Sequence, residues 1–543
     1  MKRDVSGLSG TEFDVLVVGA GIYGAAIALD AAQRGLSVAL IDRGDFGAAT
    51  SFNSLKTIHG GVRSLLSGNL REMREFIRER RALSRIAPHL VHPLPFLIPT
   101  FRYSVRNSLA LRLFLTAYDL GSWDRNDIGD PSKQLPPSRV VSFEEFERLY
   151  PEVNGSRVSG GAIWHDCQMY SSERVTFAFV QTACETGAVA ANYVEAVSFL
   201  RRGGRIEGVR ARDALGSAEL DIRARLTINA AGPWAARVVG LLRGESPRRP
   251  GPLSKTMNFV IRRLTGEYAI GGVAGSRFLI MVPWRDCSVA GTSHEPYHGD
   301  PDDLTVTTAD VERFLAELNI AFPFAKLTPA DVRLVHCGLL PMFATKGPEV
   351  KLVKKSWVVD HRTDGIEGLM SVQGVRFTTA RSTAERAVDL AASILGRRVG
   401  ICRSAKSPLA GGDIPNFDEF LSDALSRRPA GISEQALRRL VMCYGTRYGE
   451  VLRTLSGDPD GALPIGESCG VTRSEVLRAI RDEMAVRLAD VLLRRTEAGT
   501  AGHPGDDAVS HVATLMAAEC GWDRARIGAE IAQFEKTYRI APA

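Results

Sequence analysis

The segment Gly19–Gly24, with the sequence GAGIYG, is the feature that most constrains the fold of this chain. It follows residues 14–18 (DVLVV), an apolar, β-branched run that predicts a strand buried on both faces of a parallel sheet. A stretch of helix formers, residues 25–34, comes next and ends at Gly35, and a second strand is predicted over residues 37–41. The glycine pattern therefore lies in a β-α-β unit, which is the context that a dinucleotide-binding loop requires.

Each glycine of this loop has its own role in holding a dinucleotide. Gly19 permits a tight turn, Gly21 lets the backbone approach the pyrophosphate beside Ala20, and Gly24 allows helix and strand to pack closely. The helix N-terminus then faces the anion. At the end of the second strand, Asp42 is expected to accept hydrogen bonds from a ribose and to disfavour a 2′-phosphate, so the cofactor is NAD or FAD. A structural glycine-rich turn is the alternative.

Composition excludes several classes of protein. The net charge of +6, from 68 Lys and Arg against 62 Asp and Glu, is too small to argue for nucleic acid but suits an anionic substrate or a membrane surface. The eight cysteines form no C-x-x-C pair and the N-terminus lacks the apolar core of a signal peptide, so we expect a cytoplasmic chain with reduced thiols. His and Cys never fall at ligand spacing, so no metal is expected. Apolar runs are too short to cross a membrane.

The chain divides by texture into two parts. Strand-like runs recur at residues 188–197, 226–232, 278–284 and 357–361 with helical stretches between them, whereas helix-like segments dominate after Arg398. The stretch 407–416, rich in Gly and Pro, is the expected linker. We predict an α/β oxidoreductase body over residues 13–400, with interleaved cofactor and substrate subdomains, and an all-helical C-terminal domain over residues 412–543. Because the helical part has no cofactor motif, a body ending near Pro408 should hold the cofactor by itself.

The position of the β-α-β unit near the start of the chain favours FAD over NAD. The β-α-β unit starts at residue 13, and hundreds of residues pass before the chain reads NAAGPWA at 229–235, which is the layout of FAD proteins. Together with this loop, five further stretches resemble the FAD-dependent glycerol-3-phosphate dehydrogenases. They are ATSFNSLKTIHGGVRSL (49–65), APHLVHPLPFLIP (87–99), NAAGPWA, VPWRDCSVAGTSHEPYHGDP (282–301) and DEMAVRLADVLLRRT (482–496).

The resemblance runs from about Phe13 to the C-terminus and implies a fold, an activity and partners. The fold would combine an FAD-binding Rossmann-like domain with a mixed-sheet substrate domain, as in amino acid oxidases, and a C-terminal helical domain. The activity would be oxidation of a secondary alcohol of glycerol 3-phosphate or a related polyol phosphate by hydride transfer to flavin N5. Electrons would pass to quinone or another acceptor.

Candidate cofactor contacts lie in loops around these motifs. Thr50, Ser51, Ser54 and Lys56 are expected to be free to bond phosphate or ring oxygens, a solvated Ser/Thr loop being the alternative. The turn 374–378 precedes a helix whose N–H groups can stabilise negative charge on the flavin's pyrimidine ring. The predicted set is Gly19, Ala20, Gly21, Gly24, Asp42, Arg43, Thr50, Ser51, Ser54, Lys56, His59, Gly60, Gly61, Ala196, Ala231, Gly232, Trp234, Gly338, Gly374, Val375, Arg376, Phe377 and Thr378.

The substrate region departs from the family pattern. After H-G-G-x the family has Arg-Tyr, whereas this chain has Arg63 and Ser64. The Arg of the family's S-G-x-R-P stretch is Leu340 here, so a cation is lost. A family His near the flavin becomes Asn258, and a family Arg before the W-V-V-D strand becomes Lys354.

Five residues are the candidates for substrate chemistry: His59, Arg63, Asn258, Lys354 and Arg376. Arg63 and Arg376, with Lys354, are expected to bind the substrate's anion, because a guanidinium pair can hold a phosphate or a carboxylate bidentately. His59 is a candidate proton acceptor and is equally compatible with a structural contact to the flavin.

Two other functions stay open, together with the partners. An amine or amino acid oxidase would place a carboxylate at the same two arginines, and a non-catalytic flavoprotein would account for the lost Arg and His. Residues 101–120 mix arginines with aromatic and apolar residues, which suits peripheral contact with the inner face of a membrane, an ordinary buried helix being the alternative. A homodimer is also left open.

Overall fold

A computed structural model describes residues 1–101, 108–152, 158–243, 251–345, 349–455, 460–467 and 469–542. The strands are β1 (Glu12–Val18), β2 (Val38–Ile41), β3 (Thr57–Ile58), β4 (Val91–Phe101), β5 (Arg139–Val141), β6 (Val158–Met169), β7 (Val189–Ala191), β8 (Val194–Arg202), β9 (Arg205–Asp213), β10 (Glu219–Asn229), β11 (Leu253–Arg262), β12 (Ala269–Ala274), β13 (Arg277–Trp284), β14 (Cys287–Tyr297), β15 (Val332–Pro341), β16 (Trp357–Asp360), β17 (Leu369–Gln373), β18 (Pro464–Gly466) and β19 (Cys469–Thr472).

The helices pack on and between these strands. They are α1 (Ile22–Gln33), α2 (Val62–Leu66), α3 (Leu70–Ile86), α4 (Ser108–Gly121), α5 (Phe143–Leu149), α6 (Ser172–Glu185), α7 (Ala235–Gly240), α8 (Thr308–Ala321), α9 (Ala380–Leu395), α10 (Phe417–Ser426), α11 (Glu434–Tyr444), α12 (Tyr448–Leu455), α13 (Arg473–Asp482), α14 (Leu488–Asp490), α15 (Asp506–Cys520) and α16 (Arg524–Glu535). In the described part of the chain, no helix is both long and apolar enough to cross a bilayer.

The first sheet has the predicted β-α-β unit at its centre. β1 lies between β2 and β10 and is parallel to both, and the order across the described strands is β16-β17-β10-β1-β2-β7, with the hairpin β8–β9 joined to β10. Every residue from Phe13 to Val18 is buried, as the apolar run predicts. Helix α1 packs between α6 and α9, and its small side chains make that close approach possible.

The predicted strand over 188–197 is in fact two strands. β7 and β8 are separated by Asn192 and Tyr193, and Tyr193 has a positive φ of 56°. Its N–H donates to the carbonyl of Gly44, so the turn is fixed by the loop that follows β2. A hydrophobic run gives no signal for such a turn, because its cause lies elsewhere in the chain.

The second sheet carries the substrate side of the molecule. Its order is β15-β11-β14-β13-β12-β4-β6-β3 among the described strands, with β5 beside β6, and most neighbours are antiparallel. One of its faces packs on α8, where Phe259, Met281 and Phe314 form part of a buried core. Residues of β11, β14 and β15 therefore stand on a rigid support.

The C-terminal part is mainly helical, as expected, with a small ribbon of β18 and β19. The helix-like stretch 473–495 does not form one helix: α13 ends at Asp482, and the chain continues through α14 into a π-helical turn, Val491–Arg495. Glu483 lies in the break and is fully buried in ion pairs with Arg174 and Arg478, which accounts for the local change of direction.

Candidate active site

The glycine loop after β1 leaves no space for a side chain at Gly19 or at Gly24. A Cβ on Gly19, which has a φ of +101°, would lie 2.7 Å from the carbonyl oxygen of Ala230, and a Cβ on Gly24 would lie 1.8 Å from that of Gly19. Helix α1 starts at Ile22 with Gly21 as its N-cap and has no acid in its first turn. The loop is thus a narrow backbone cradle at a helix N-terminus, a fit for a pyrophosphate.

Asp42 is positioned by the same loop. Its Oδ2 accepts from the N–H of Ala20 at 2.6 Å, and its Oδ1 accepts from the N–H of Gly44 at 2.8 Å. Burial raises the pKa of this carboxyl to about 6, because the two N–H bonds only partly offset the lost hydration. The carboxylate stands at the end of β2, where a ribose would lie beside the pyrophosphate.

The Ser/Thr loop closes over the start of α1. Ser51 Oγ accepts from the N–H of Ile22 at 2.9 Å, so its hydroxyl occupies the helix N-terminus. Thr50 donates to the carbonyl of Leu339 at 3.1 Å and lies against Gly338. These contacts place the loop between the glycine cradle and β15.

Lys56 is a correction to the predicted cofactor set. Its side chain is fully buried, and its Nζ donates to the carbonyl of Phe52 (2.8 Å), to Ser172 Oγ (2.9 Å) and to Glu173 Oε2 (3.0 Å). The three donors of the ammonium are therefore all used within the protein. Lys56 is not free to bond phosphate or ring oxygens, and it fixes the loop from behind instead.

Tyr23 holds the turn before α9. Its hydroxyl accepts from the N–H groups of Val375 and Arg376, each at 3.2 Å, and donates to the carbonyl of Arg376 at 2.7 Å. A Cβ on Gly374 would lie 2.0 Å from the Tyr23 ring. The turn 374–378 is therefore attached to the glycine loop, a link that the sequence pattern did not reveal. The following 3₁₀ turn includes Phe377 and Thr378.

The H-G-G turn is joined to that same turn and to a buried acid. The N–H of His59 donates to Thr378 Oγ1 at 3.2 Å, and the N–H of Gly60 donates to Asp166 Oδ1 at 2.7 Å. His59 Nδ1 lies 3.4 Å from Asp166 Oδ2, and Arg80 donates to Asp166 Oδ1 at 2.7 Å. Burial opposes the charge on Asp166, but His59 and Arg80 together lower the pKa of its carboxyl.

Asp166 is thus a functional candidate that sequence reasoning missed. The available signal was a charged residue inside the buried strand β6. A methyl on Gly60 would come within 2.0 Å of Arg80 Nη1 and 2.3 Å of the Tyr118 hydroxyl, and Gly61 has a φ of +79°. Both glycines are therefore needed for the turn itself.

Arg376 lies in a small polar cluster with α3. Its Nη1 donates to Glu72 Oε1 at 2.6 Å, its guanidinium lies 4.8 Å from the centre of the Phe76 ring, and Ser64 donates to the other Glu72 oxygen at 2.8 Å. Lys354 is exposed and close enough for its charge to lower the pKa of Glu72, with burial acting in the opposite direction. The structure therefore pairs Arg376 with this carboxylate and places the charge of Lys354 in its neighbourhood.

Arg63 has a different environment. Its guanidinium lies 5.5 Å from the centre of the Phe278 ring, and within the described ranges no carboxylate pairs with it. Part of the side chain is exposed, yet surrounding protein atoms and the nearby charge of Arg376 lower its pKa. Two neighbouring guanidiniums that repel each other, one of them without a carboxylate partner among the described residues, are an arrangement that a bound anion would stabilise.

His294 and Asn258 stand on β14 and β11 beside this site. Asn258 Oδ1 accepts from Thr292 Oγ1 at 2.7 Å, and a Cβ on Gly291 would come within 2.0 Å of the same oxygen. Burial and the charges of Arg277 and Arg63 lower the pKa of His294 to about 4, so this imidazole is neutral at pH 7. Sequence reasoning did not single out His294.

The remaining predicted contacts lie at the rim of the cradle. The Arg43 guanidinium lies 4.4 Å above the Trp234 ring. Both side chains bond to Asp302, and the Trp234 Nε1 donates to Asp302 Oδ1 at 2.8 Å. Ala231 and Gly232 begin the turn after β10. Three further residues complete the set of predicted cofactor contacts. Ala196 lies in β8, Ser54 Oγ accepts from the Lys56 N–H at 3.4 Å, and Gly338 lies in β15.

Comparison with known proteins places the whole chain in a family. The model of FAD dependent oxidoreductases matches residues 14–390, and that of the C-terminal domain of alpha-glycerophosphate oxidase matches residues 402–527. A glycerol-3-phosphate dehydrogenase from Mycobacterium leprae is 32% identical over 536 residues, which are 97% of this chain and 88% of that protein. One from a Synechocystis species is 29% identical over 98% of both chains.

A solved structure gives the same result. Glycerol-3-phosphate dehydrogenase from Bacillus halodurans, complexed with FAD, superposes with a TM-score of 0.75 at 25% identity and covers 99% of this chain and 96% of that one. The chain belongs to the FAD-dependent glycerol-3-phosphate dehydrogenase family.

Membership of this family confirms several of the sequence predictions. The cofactor is FAD, the protein is an FAD-dependent oxidoreductase, and the expected fold class of a Rossmann-like domain, a mixed-sheet domain and a helical C-terminus is correct. The two domain boundaries and the individual site residues stay predictions. In this chain the glycine loop, Asp42 and the turn 374–378 have a geometry that fits a dinucleotide such as FAD, because a helix N-terminus and backbone N–H groups meet there.

Proposed function

We propose that this enzyme oxidises the secondary alcohol of glycerol 3-phosphate or of a related polyol phosphate. The observation that carries this proposal is Arg63, a guanidinium without a carboxylate partner among the described residues, next to Arg376 and on the helix that follows the His59 turn. A phosphate placed there would receive two guanidiniums, and Lys354 would add a third positive charge. The relatives named glycerol-3-phosphate dehydrogenase support the same substrate class.

FAD, when bound, supplies a two-electron acceptor for the substrate's C–H hydride. The chain's own residues then have two tasks. Arg63 and Arg376 bind and orient the anion, which fixes the alcohol carbon relative to the cofactor cradle. His59 accepts the hydroxyl proton at Nε2, because its Nδ1 is directed to Asp166. Asp166 is held in turn by Arg80 and the N–H of Gly60, so the imidazole has a defined orientation.

The anion site of this chain differs from the family pattern at Leu340 and Arg376. Leu340, at the position where the family pattern has an Arg, is a half-buried apolar residue of β15 opposite Ser254. Glu72 already occupies one nitrogen of Arg376, so an incoming phosphate must compete with that carboxylate. Arg63 therefore supplies a larger share of the anion's binding than Arg376 does.

We also propose a peripheral contact with the inner face of the cytoplasmic membrane, with quinone as electron acceptor. Helix α4 packs one side on the body through Leu115 and Tyr118, and the hydroxyl of Tyr118 donates to the carbonyl of Gly60. Its opposite side is apolar and exposed, next to the join of α2 and α3. This surface, the α4 face, consists of Leu66 (72% exposed), Leu70 (57%), Leu109 (67%), Leu113 (66%), Leu120 (72%) and Trp123 (79%).

Helix α4 contacts the H-G-G turn through Tyr118 on its inner side, so a lipid-borne acceptor at the α4 face would be separated from the proposed site by this one helix. Exposed large apolar side chains that cluster in this way are typical of interaction surfaces. Within the stretch that sequence reasoning selected, Arg102, Tyr103 and Arg106 lie outside the described residues. A second copy of the chain covering the same face is the alternative, and such a dimer would compete with vesicle binding.

Anaerobic flavin bleaching tests the substrate proposal. The purified enzyme is mixed without oxygen with glycerol 3-phosphate, other polyol phosphates, amino acids, amines and hydroxy acids, and the flavin absorbance is followed. We expect bleaching by a polyol phosphate and reoxidation by a quinone analogue without peroxide. Bleaching by an amine or amino acid, with peroxide formed in air, would show an oxidase instead. A flavin that stays oxidised with every compound would reject catalysis of this class.

A further inference from the structure

A buried carboxylate in the FAD-binding part is held by two arginines of the helical domain. Asp45 follows β2 and has no exposed surface on its side chain, and neither has Arg495. Arg495 donates to both oxygens of Asp45, at 2.8 Å and 2.7 Å, and Arg494 Nε donates to Oδ2 at 2.5 Å. The π-helical turn of the helical domain therefore ends in a bidentate and a monodentate contact with one acid.

Further hydrogen bonds fix both partners. Asn192 donates to Asp45 Oδ1 at 2.9 Å and to the carbonyl of Met484 at 3.0 Å, so it bridges the two domains. Asp490 Oδ1 accepts from Arg494 at 2.5 Å and from the hydroxyl of Tyr193 at 2.6 Å. The arginines thus have partners on both sides, and the carboxylates are satisfied without water.

Asp45 is part of the segment that carries the ribose-binding acid. In this segment, residues 42–47, the carbonyl of Gly44 accepts from the N–H of Tyr193 at 3.0 Å, and the N–H of Gly47 donates to the carbonyl of Ala20 at 3.0 Å. Ala20 in turn donates to Asp42. Displacing Asp45 would therefore move both Asp42 and the glycine loop, which are the two contacts expected for the pyrophosphate and the ribose.

The charges strengthen this connection. Burial by itself would favour a neutral Asp45, but the charges of Arg495 and Arg494 hold the pKa of its carboxyl well below the usual range. A buried ion pair of this kind is costly to break, because the partner that remains is left charged and without solvent. The helical domain is consequently attached firmly to the segment 42–47.

We propose that Arg494 and Arg495 are positioning residues for FAD, so that the helical domain forms part of the cofactor site although it contains no cofactor motif. This is contrary to the sequence-based expectation that a body ending near Pro408 holds FAD by itself. The proposal rests on the assigned cofactor and does not depend on the substrate. Reciprocity also follows: FAD should strengthen the attachment of the helical domain by the same factor by which that domain strengthens FAD binding.

The test uses the full-length enzyme with Asp45→Asn and, separately, Arg495→Lys. FAD is removed and added back, and its dissociation constant is measured by flavin fluorescence, with thermal melting measured in the presence and absence of FAD. We expect Asp45→Asn to weaken FAD binding by about 5- to 150-fold, the usual range for coupling between sites. Arg495→Lys keeps the charge but loses the fork, so it should give a smaller weakening. With FAD saturating, the KM for substrate should stay at the wild-type value.

Glu497→Gln is the matched control. It removes another contact between the domains, to Tyr170 at 2.7 Å and to Arg285 at 3.4 Å, that does not touch residues 42–47. Its FAD affinity should stay within about twofold of wild type, as for independent sites. If Asp45→Asn does not fold, Arg495→Lys decides the matter. Melting temperatures that fall in the folded variants while their FAD affinity stays at the wild-type value would overturn the proposal, because the cluster would then only stabilise the fold.

Discussion

At the scale of single residues, the two arginines of the proposed anion site differ in their partners. Arg376 is held by Glu72 and lies over Phe76, whereas Arg63 has no carboxylate among the described residues. An anion bound by both would satisfy the charge of Arg63 and share Arg376 with Glu72. This difference could not be anticipated from the sequence, because Glu72 and Arg376 are 304 positions apart.

The first prediction concerns these two arginines. Arg63→Ala should lower kcat/KM by an amount equivalent to about 2 to 4 kcal/mol of transition-state stabilisation, since the substrate anion would be left poorly paired. Arg376→Ala should cause a smaller loss of kcat/KM. The double variant should cost less than the sum, because both groups serve one ligand. Lys at position 63 should restore only part of the loss. Stopped-flow bleaching measures the effect, with FAD content as the control.

Arg210→Ala is a useful comparison, because this exposed arginine pairs with Asp221 far from the proposed site and its loss should leave kcat/KM unchanged. If the Ala variants at 63 and 376 bleach their flavin at the wild-type rate, the anion is bound elsewhere.

The second prediction concerns Asp42 and pH. The Asp42 carboxyl has a pKa of about 6 before FAD binds, so it takes up a proton as the pH falls through that value. A ribose hydroxyl needs the carboxylate as acceptor, so FAD affinity should fall by up to about tenfold for each pH unit below 6. Asp42→Asn should bind FAD weakly and without this pH dependence. An affinity of the wild-type enzyme that is constant from pH 5 to 8 would contradict the assignment.

The ionisation of Asp42 affects the stability of the cofactor-free protein in the opposite direction: this stability falls as the pH rises, whereas FAD affinity rises. Because the folded pKa of Asp42 is raised above its unfolded value of about 3.9, the cofactor-free fold gains protons more readily than the unfolded chain does. The contribution of this group to the stability of the cofactor-free protein is therefore present at low pH and is lost as the pH rises through about 4 to 6. FAD restores it by giving the carboxylate a hydrogen-bond donor.

At the scale of secondary-structure elements, helix α4 shows how one helix serves two surfaces. Its inner side packs Leu115 and Tyr118 against the body, and its outer side presents Leu109, Leu113 and Leu120 at helical spacing. A buried helix was the alternative interpretation of this stretch. The exposed leucines show that the described part of the helix is buried on one side only.

The third prediction tests this outer side. Leu113→Asp with Leu120→Asp should reduce co-sedimentation with anionic lipid vesicles, because two large apolar contacts are removed and two negative charges are added. Phe114 is a poor choice for such a variant, since it packs partly into the body. The control pair is Ile401→Asp with Leu463→Asp, which are also exposed apolar residues, 83% and 53%. Equal co-sedimentation of both double variants and wild type would remove the proposed contact.

At the scale of the whole molecule, the helical domain and the body share their buried surfaces. Phe52, from the Ser/Thr loop, belongs to the same apolar cluster as Val476, Leu488 and Met516 of the helical domain. Arg174 pairs with Glu483 across the same boundary at 2.6 Å with both side chains buried. Buried contacts of this kind couple the stabilities of the two parts.

The fourth prediction follows from this coupling. Thermal unfolding of the full-length protein should be a single transition in which the calorimetric and van't Hoff enthalpies agree, and FAD should raise its midpoint as one unit. Scanning calorimetry with and without FAD measures both quantities. Two separate transitions would show that the parts unfold independently, if FAD raised the midpoint of the body's transition and left that of the helical domain unchanged.

Local patterns determined a large part of this protein. The spacing of Gly19, Gly21 and Gly24 after an apolar strand, with Asp42 at the end of the next one, was sufficient to predict the β-α-β unit and its glycine turn, because turn, helix and strand there depend on neighbouring residues. The change of texture after Arg398 likewise indicated the helical region. The motif 482–496 was recognised as characteristic, but its sequence gave no information about its role.

Tertiary structure decided the remainder, because the deciding partners are distant in the chain. Lys56 is buried by Glu173, 117 positions away, and His59 is oriented by Asp166, 107 positions away. Asp45 meets Arg494 across 449 positions. Whether a charged side chain faces a ligand or a buried counter-ion depends on which strands and domains the fold brings together, and that is a property of long-range packing for which residue spacing gives no signal.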